Sequence, residues 1–150
     1  MILPQFYTDD IIKRAILEDI NYVDVASDYL ISEEQRDEAY FVSKADGVLC
    51  GIDVAMRVFE LLDDSFTAKV YMHDGDKVKK GDLIAEFSGK ATLLLKGERT
   101  ALNLLQHMSG IATATAKAVK LCEGTKASIA DTRKTIPSLR ALQKYAVTCG

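Results

Sequence analysis

No run of apolar residues approaches the roughly 20 needed to cross a bilayer, and no basic segment precedes an apolar one at the start of the chain. MILPQFYTDDIIKRAILED instead carries acidic residues within its first ten positions, unlike secretory or transit signals. A cytoplasmic protein that avoids membranes is the expectation. Basic charge is also in short supply, with 19 Lys+Arg against 22 Asp+Glu and a net charge of −3. Without a general positive field, nucleic-acid binding is not expected, and any anion site must be local. The three cysteines, Cys50, Cys122 and Cys149, form no Cys-x-x-Cys pair and leave one over if two join. Buried thiols are expected, ahead of a metal or redox site. His73 and His107 have no second histidine or cysteine at ligand spacing, which argues against zinc. Neither a GxxxxGK phosphate loop, a GxGxxG fingerprint nor a Ser-His-Asp order occurs, and no internal repeat is present.

What is present is a core: 48% of the 150 residues are apolar, enough for one compact domain or two small ones and too many for disorder. Ile12, Ala15, Ile16 and Ile20 recur at helical spacing, predicting a helix from about Asp9 with Thr8 or Asp9 as its cap. Ala39–Val42 and Val48–Cys50 read as two short β runs around Asp46-Gly47, a hairpin-like pair. A second helix is predicted from Ile52 to Leu62. From Phe66 to Leu95 the pattern alternates, with Ala68, Val70, Ala85 and Phe87 on strand faces. HDGDKVKKGDLIAEF has the two-glycine turn pattern of lipoyl- and biotinyl-carrier domains, but no modifiable lysine at a hairpin tip; Lys77, Lys79 and Lys80 read as solvated.

A long helix is predicted from Glu98 to Cys122, interrupted at Ser109-Gly110 by a bend or a close backbone contact and stopped by Gly124. Ala127–Ala130 reads as a strand. The polar cluster Asp131-Thr132-Arg133-Lys134-Thr135 follows, and then a helix begun by Pro137 and striped with Leu139, Leu142, Tyr145 and Ala146. Strand, polar loop and helix make one βα unit, and such loops carry the ligand sites of α/β folds.

Arg133 offers a planar fork and Lys134 a point charge for a carboxylate or phosphate. A surface ion-pair cluster with Thr135 as helix cap accounts for the same residues equally well. Arg99, read as lying in the first turn of the long helix, opposes the helix dipole there. Pairing with Glu98 or another carboxylate explains it somewhat better than an anionic ligand does.

Two segments go beyond composition. GERTALNLLQHMSGIATATAK (97–117) and DTRKTIPSLRALQKYAVTCG (131–150) resemble signature blocks of the quinolinate phosphoribosyltransferase family, also called carboxylating nicotinate-nucleotide pyrophosphorylases. Ile136 and Ser138 replace the more usual Thr and Gly, and His107-Met108 stand where Arg-Leu is common; these are conservative departures. The resemblance implies a mixed α/β (α+β) fold. An N-terminal open-faced sandwich would occupy 1–110, and 111–150 would begin an α/β barrel left incomplete by this chain. It implies transfer of phosphoribosyl from phosphoribosyl pyrophosphate to quinolinate with decarboxylation, yielding nicotinate mononucleotide, pyrophosphate and CO₂ for NAD biosynthesis. Arg133 and Lys134 would be the catalytic pair. With Thr132 and Arg99 they would bind substrate, Arg99 reaching across a homodimer.

Mg²⁺ would accompany the pyrophosphate, with its ligands outside these residues. Family members being nearly twice as long, the 150 residues are expected to be a portion of a longer protein and inactive alone. Two other functions fit less of the sequence: a paralogue acting on another anionic base, and a non-enzymatic lipoyl- or biotinyl-like binding module.

Overall fold

The computed structural model describes residues 3–20 and 29–150. Its elements run α1 (Gln5–Asp19), β1 (Arg36–Val42), β2 (Gly47–Val48), α2 (Ile52–Glu60), β3 (Thr67–Val70), β4 (Lys77–Val78), β5 (Leu83–Lys90), α3 (Ala91–Leu121) and α4 (Arg140–Cys149).

Alternation dictates the main sheet. β5 buries Ala85, Phe87 and Gly89 on one side and exposes Glu86 on the other. It pairs antiparallel with β1 and with β3, giving the order β1-β5-β3. The register sets Phe41 and Val70 opposite Ala85, and Ala39 and Ala68 opposite Phe87. One face therefore gathers Phe41 and Phe87, which pack with Phe59 of α2 and with Phe66. The other face stays polar: the Tyr71 hydroxyl donates to Glu86 at 2.6 Å and Lys69 lies over the Tyr71 ring. Among the described residues the sheet is covered on one side alone, the open-faced sandwich that was expected.

The predicted pairing of Ala39–Val42 with Val48–Cys50 is not formed. β1 pairs with β5, and β2 pairs with β4 in a separate two-stranded ladder. The turn between β1 and β2 docks on the 79–82 turn instead, through Ser43 N–H to Asp82 O and Lys80 N–H to Asp46 Oδ1, both 2.9 Å. Helix α1 starts before Asp9, at Gln5. Pro4 begins it, its carbonyl accepting the Tyr7 and Thr8 amides at 3.0 and 3.1 Å, while the Thr8 hydroxyl bonds that same carbonyl rather than capping.

Helix α3 likewise starts seven residues before the predicted Glu98 and runs 31 residues without a break. Its first turns bury Leu94 and Gly97, the latter so close to Phe59 that a Cβ there would lie 2.8 Å from the ring. Ser109-Gly110 does not break the helix and marks no tight contact, since a Cβ on Gly110 would meet nothing within 4 Å. Ser109 serves a strand end instead: its hydroxyl accepts the Cys50 amide at 3.0 Å and donates to the Cys50 carbonyl at 3.1 Å. Gly124, at φ +77°, ends the segment as expected.

Gly51 begins α2 at φ +96°, against Met108, in a conformation that penalises any side chain. Asp74 Oδ1 accepts the Gly51 and Ile52 amides at 2.8 and 3.0 Å, so a carboxylate from a distant turn neutralises the positive end of that helix.

Asp63 closes the same helix region from a buried position. Burial alone would raise its carboxyl pKa, but bonds from the Ser65 hydroxyl and from the Lys90 and Ser65 amides outweigh burial and hold it below the usual carboxylate value. A depressed native pKa contributes stability that is complete above the unfolded value, about pH 4, and drains away as pH falls through the native one. Asp63→Asn is expected to lose about 2 kcal/mol at pH 7 by mismatching these donors. Urea unfolding should show that deficit shrinking below about pH 4; a pH-independent deficit would mean the charge is not what matters.

Candidate functional site

The residues between Ala127 and Arg140 form no strand, and Ala127–Ala130 are exposed. The predicted βα unit lacks its first half for a physical reason: a strand bounded by a polar loop needs a neighbour to receive its N–H and C=O groups, and no described strand lies beside it. The helix of that unit is present, but it begins at Arg140 rather than Pro137. Three residues one turn apart or adjacent on α4 then hold the loop. Arg140 donates to Thr135 Oγ1 at 3.1 Å and to the Arg133 carbonyl at 3.4 Å. Gln143 Oε1 accepts the Ile136 amide at 2.9 Å, while its Nε2 meets His107 Nε2 on α3 at 2.9 Å. Lys144 pairs with Asp131.

Both readings of the Asp131–Thr135 cluster are thereby partly answered. Asp131 is in an ion pair, but with Lys144 rather than with Arg133 or Lys134. Thr135 does not cap the helix, its hydroxyl being taken by Arg140. Thr132 Oγ1 accepts the Lys134 amide at 3.2 Å, a local turn that shapes the loop. The Arg133 and Lys134 side chains are exposed and have no hydrogen bond or ion pair among the described residues. Two cations are held on a braced backbone with their charged ends open.

Ser138 stands at φ +68°, the one non-glycine residue with positive φ among those described. That conformation costs a side chain about 1–2 kcal/mol, so its substitution for glycine is not conservative for the backbone.

The dipole argument for Arg99 fails, because a helix beginning at Ala91 puts Arg99 in the third turn, beyond the reach of the terminal partial charge. Arg99 pairs with Asp19 at the end of α1, Nη1 to Oδ1 2.8 Å, with its side chain 73% exposed. No bond joins it to the 131–136 loop among the described residues. His73 is exposed, and His107 is the half-buried partner of Gln143. Lys77, Lys79 and Lys80 are exposed, as expected.

The cysteines divide. Cys50 is buried, whereas Cys122 and Cys149 are only half-buried. What went unseen in the sequence is that Cys50, Asp74 and Cys149 converge, with ligand atoms within 4.8 Å of one another. A cavity of about 1070 Å³ lies between β1 and α3, lined by Phe41, Leu95, Leu102 and Gly110 among others, and the two loop cations are not part of it. No described helix is long and apolar enough to cross a membrane.

Comparison with known proteins supplies the rest. Residues 24–109 match the family model described as quinolinate phosphoribosyl transferase, N-terminal domain, and residues 111–150 match its C-terminal domain. A probable nicotinate-nucleotide pyrophosphorylase [carboxylating] of Bacillus subtilis is 43% identical over 140 residues, covering 93% of this chain and 48% of the relative. A nicotinate-nucleotide pyrophosphorylase [carboxylating] of Mycobacterium leprae is 42% identical over 147 residues, with 94% and 51% covered. The crystal structure of NadC from Streptococcus pyogenes superposes with a TM-score of 0.96 at 39% identity, over 100% of this chain and 53% of that one. The chain spans about half the length of the relatives it matches.

Proposed function

The chain belongs to the quinolinate phosphoribosyltransferase family, and from that premise we propose that it contributes the loop that binds quinolinate in an enzyme making nicotinate mononucleotide, pyrophosphate and CO₂ from quinolinate and phosphoribosyl pyrophosphate. The observation that carries this reading is that the Arg133 and Lys134 side chains are open, and unpaired among the described residues, on a loop braced by Arg140, Gln143 and Lys144. A diacid beside a pyrophosphate requires fixed positive charge aimed at it before it arrives.

Arg133 would take one carboxylate through two parallel hydrogen bonds, and Lys134 would meet the other as a point charge. Holding the diacid by its carboxylates leaves the pyridine nitrogen free to be directed at the ribosyl carbon as pyrophosphate departs. The 2-carboxylate beside the resulting quaternary nitrogen is then lost as CO₂, its electron pair taking up a proton at the ring carbon. The reaction belongs to NAD biosynthesis and is placed in the cytoplasm.

Mg²⁺ is proposed to travel with the pyrophosphate. It takes an octahedron of oxygens, whereas the one ligand cluster among the described residues contains two thiols and does not fit it. Residues 1–110 and 111–150 are proposed as the first domain and the start of the second.

Arg99 is proposed to act in the partner's site of a homodimer, and its exposure and lack of any bond to its own 131–136 loop support that reading. Mixing Arg99→Ala and Lys134→Ala subunits of the longer protein tests both ideas in one assay of nicotinate mononucleotide formation. Activity should return to about a quarter of wild type, through the half of the dimers that are mixed, each with one intact site. No product from the wild-type protein with quinolinate would remove the reaction; product without restoration in the mixture would remove only the crossing.

A further inference from the structure

Cys50, Asp74 and Cys149 come from three separate places: the link between β2 and α2, the turn before β4 and the last residue of α4. Each is held. Ser109 bonds the Cys50 backbone from both sides. Asp74 commits Oδ1 to two amides at the start of α2, which leaves Oδ2 directed at the Cys50 sulfur 4.0 Å away. Cys149 is carried on a helix whose Leu142 and Ala146 are buried.

A cavity of about 600 Å³ meets the cluster at Asp74, beside Tyr145, and Asp9, Asp53 and Glu60 on its walls outnumber Arg57. An acidic passage that opens on the carboxylate of the cluster is an entry path for a cation.

The geometry points to a site for a thiophilic divalent cation of the zinc class, ligated by Cys50 Sγ, Cys149 Sγ and Asp74 Oδ2, with a fourth position left for water. Sulfur donors select zinc over magnesium or calcium, which require oxygen. Tetrahedral zinc at about 2.3 Å from sulfur and 2.0–2.2 Å from oxygen sets its ligand atoms roughly 3.5–3.8 Å apart. From a present spacing within 4.8 Å, the cluster reaches that by closing roughly 1.3 Å at most. The two amides on Asp74 and the Ser109 bonds supply the outer shell that orients such ligands.

Without the cation, burial and then the Asp74 charge push the Cys50 thiol well above its usual pKa, so that thiol stays protonated beside the carboxylate. Binding displaces both thiol protons to solvent and leaves two thiolates, one carboxylate and one dication, a net charge of −1. The ion would tie the strand-and-helix body to α4, the helix that braces the loop bearing Arg133 and Lys134.

The full chain, reduced and stripped with a chelator, is to be titrated with zinc and, in parallel, with cobalt(II). One equivalent per chain is expected, with thiolate-to-metal charge transfer in the cobalt form and two sulfur neighbours at about 2.3 Å in the X-ray absorption of the zinc form. Cys50→Ser and Cys149→Ser should each weaken zinc binding by roughly a hundredfold or more, while Cys122→Ser leaves it unchanged. The wild-type measurement decides the matter even if a variant fails to fold. No stoichiometric uptake, a coordination shell without sulfur, or folded Cys50 and Cys149 variants that bind as wild type would each overturn the site.

Discussion

Replacing Lys134 with alanine in the longer protein is expected to lower kcat/KM for quinolinate by about 10²–10³ and to leave stability unchanged, because one preorganised charge removed from a transition state costs about 2.7–4 kcal/mol. Stability should hold because the Lys134 side chain is exposed and bonds nothing among the described residues. Arg133→Ala should behave similarly. The double variant should fall short of the product of the two effects, since both cations are proposed to serve the same diacid. Arg133→Lys would restore charge but not the parallel pair of bonds, and should recover only part of the loss. Steady-state kinetics beside a thermal melt separates the outcomes. An unchanged kcat/KM would remove the loop from the site, and a lowered melting temperature would assign these residues to the fold.

Phe59→Ala should produce the largest loss of stability. Phe59 is 1% exposed. It stacks on Phe87 at 4.9 Å and on Phe66 at 5.4 Å, and Gly97 of α3 presses against its ring. Truncating a buried phenylalanine costs about 3–5 kcal/mol, a large fraction of the roughly 5–15 kcal/mol that holds a domain together. At about 2–4 °C per kcal/mol for a chain of this size, the melt should fall by roughly 10 °C. Phe59→Leu should lose much less, because it keeps most of the volume between sheet and helix. If alanine and leucine variants melt alike, the ring is not what couples α2 to α3.

These expectations rest on features that differ in how well the sequence displayed them. Alternation in Ala85 and Phe87 and helical spacing in Val58 and Phe59 are local patterns, so β5 and α2 were legible. Partner choice was not, because β1 pairs with a strand more than forty positions later and adjacency in sequence suggested β2. The true start of α3 was hidden for a chemical reason: Lys90 precedes it with no side-chain cap, so no Ser, Thr, Asp or Asn marked the boundary. The misplaced start in turn produced a false argument about Arg99.

The loop cations themselves were legible as residues, and the DTRKT string carried the family. The bracing by Arg140, Gln143 and Lys144 was not legible, because it depends on which face α4 turns toward the loop. The meeting of Cys50 with Cys149 was further out of reach, since no spacing rule joins positions separated by most of the chain.

The continuity of α3 has one more consequence. The two family models meet at residue 110, yet the helix passes through that point without a break. A hybrid made by joining the front half of one relative to the back half of another would therefore have to preserve helical phase. A single inserted residue at the joint would swing everything downstream by about 100° and push it 1.5 Å along the axis. The screw thread of one helix thus sets which way the Arg133–Lys134 loop points, and interchange between relatives should succeed only when the splice keeps count.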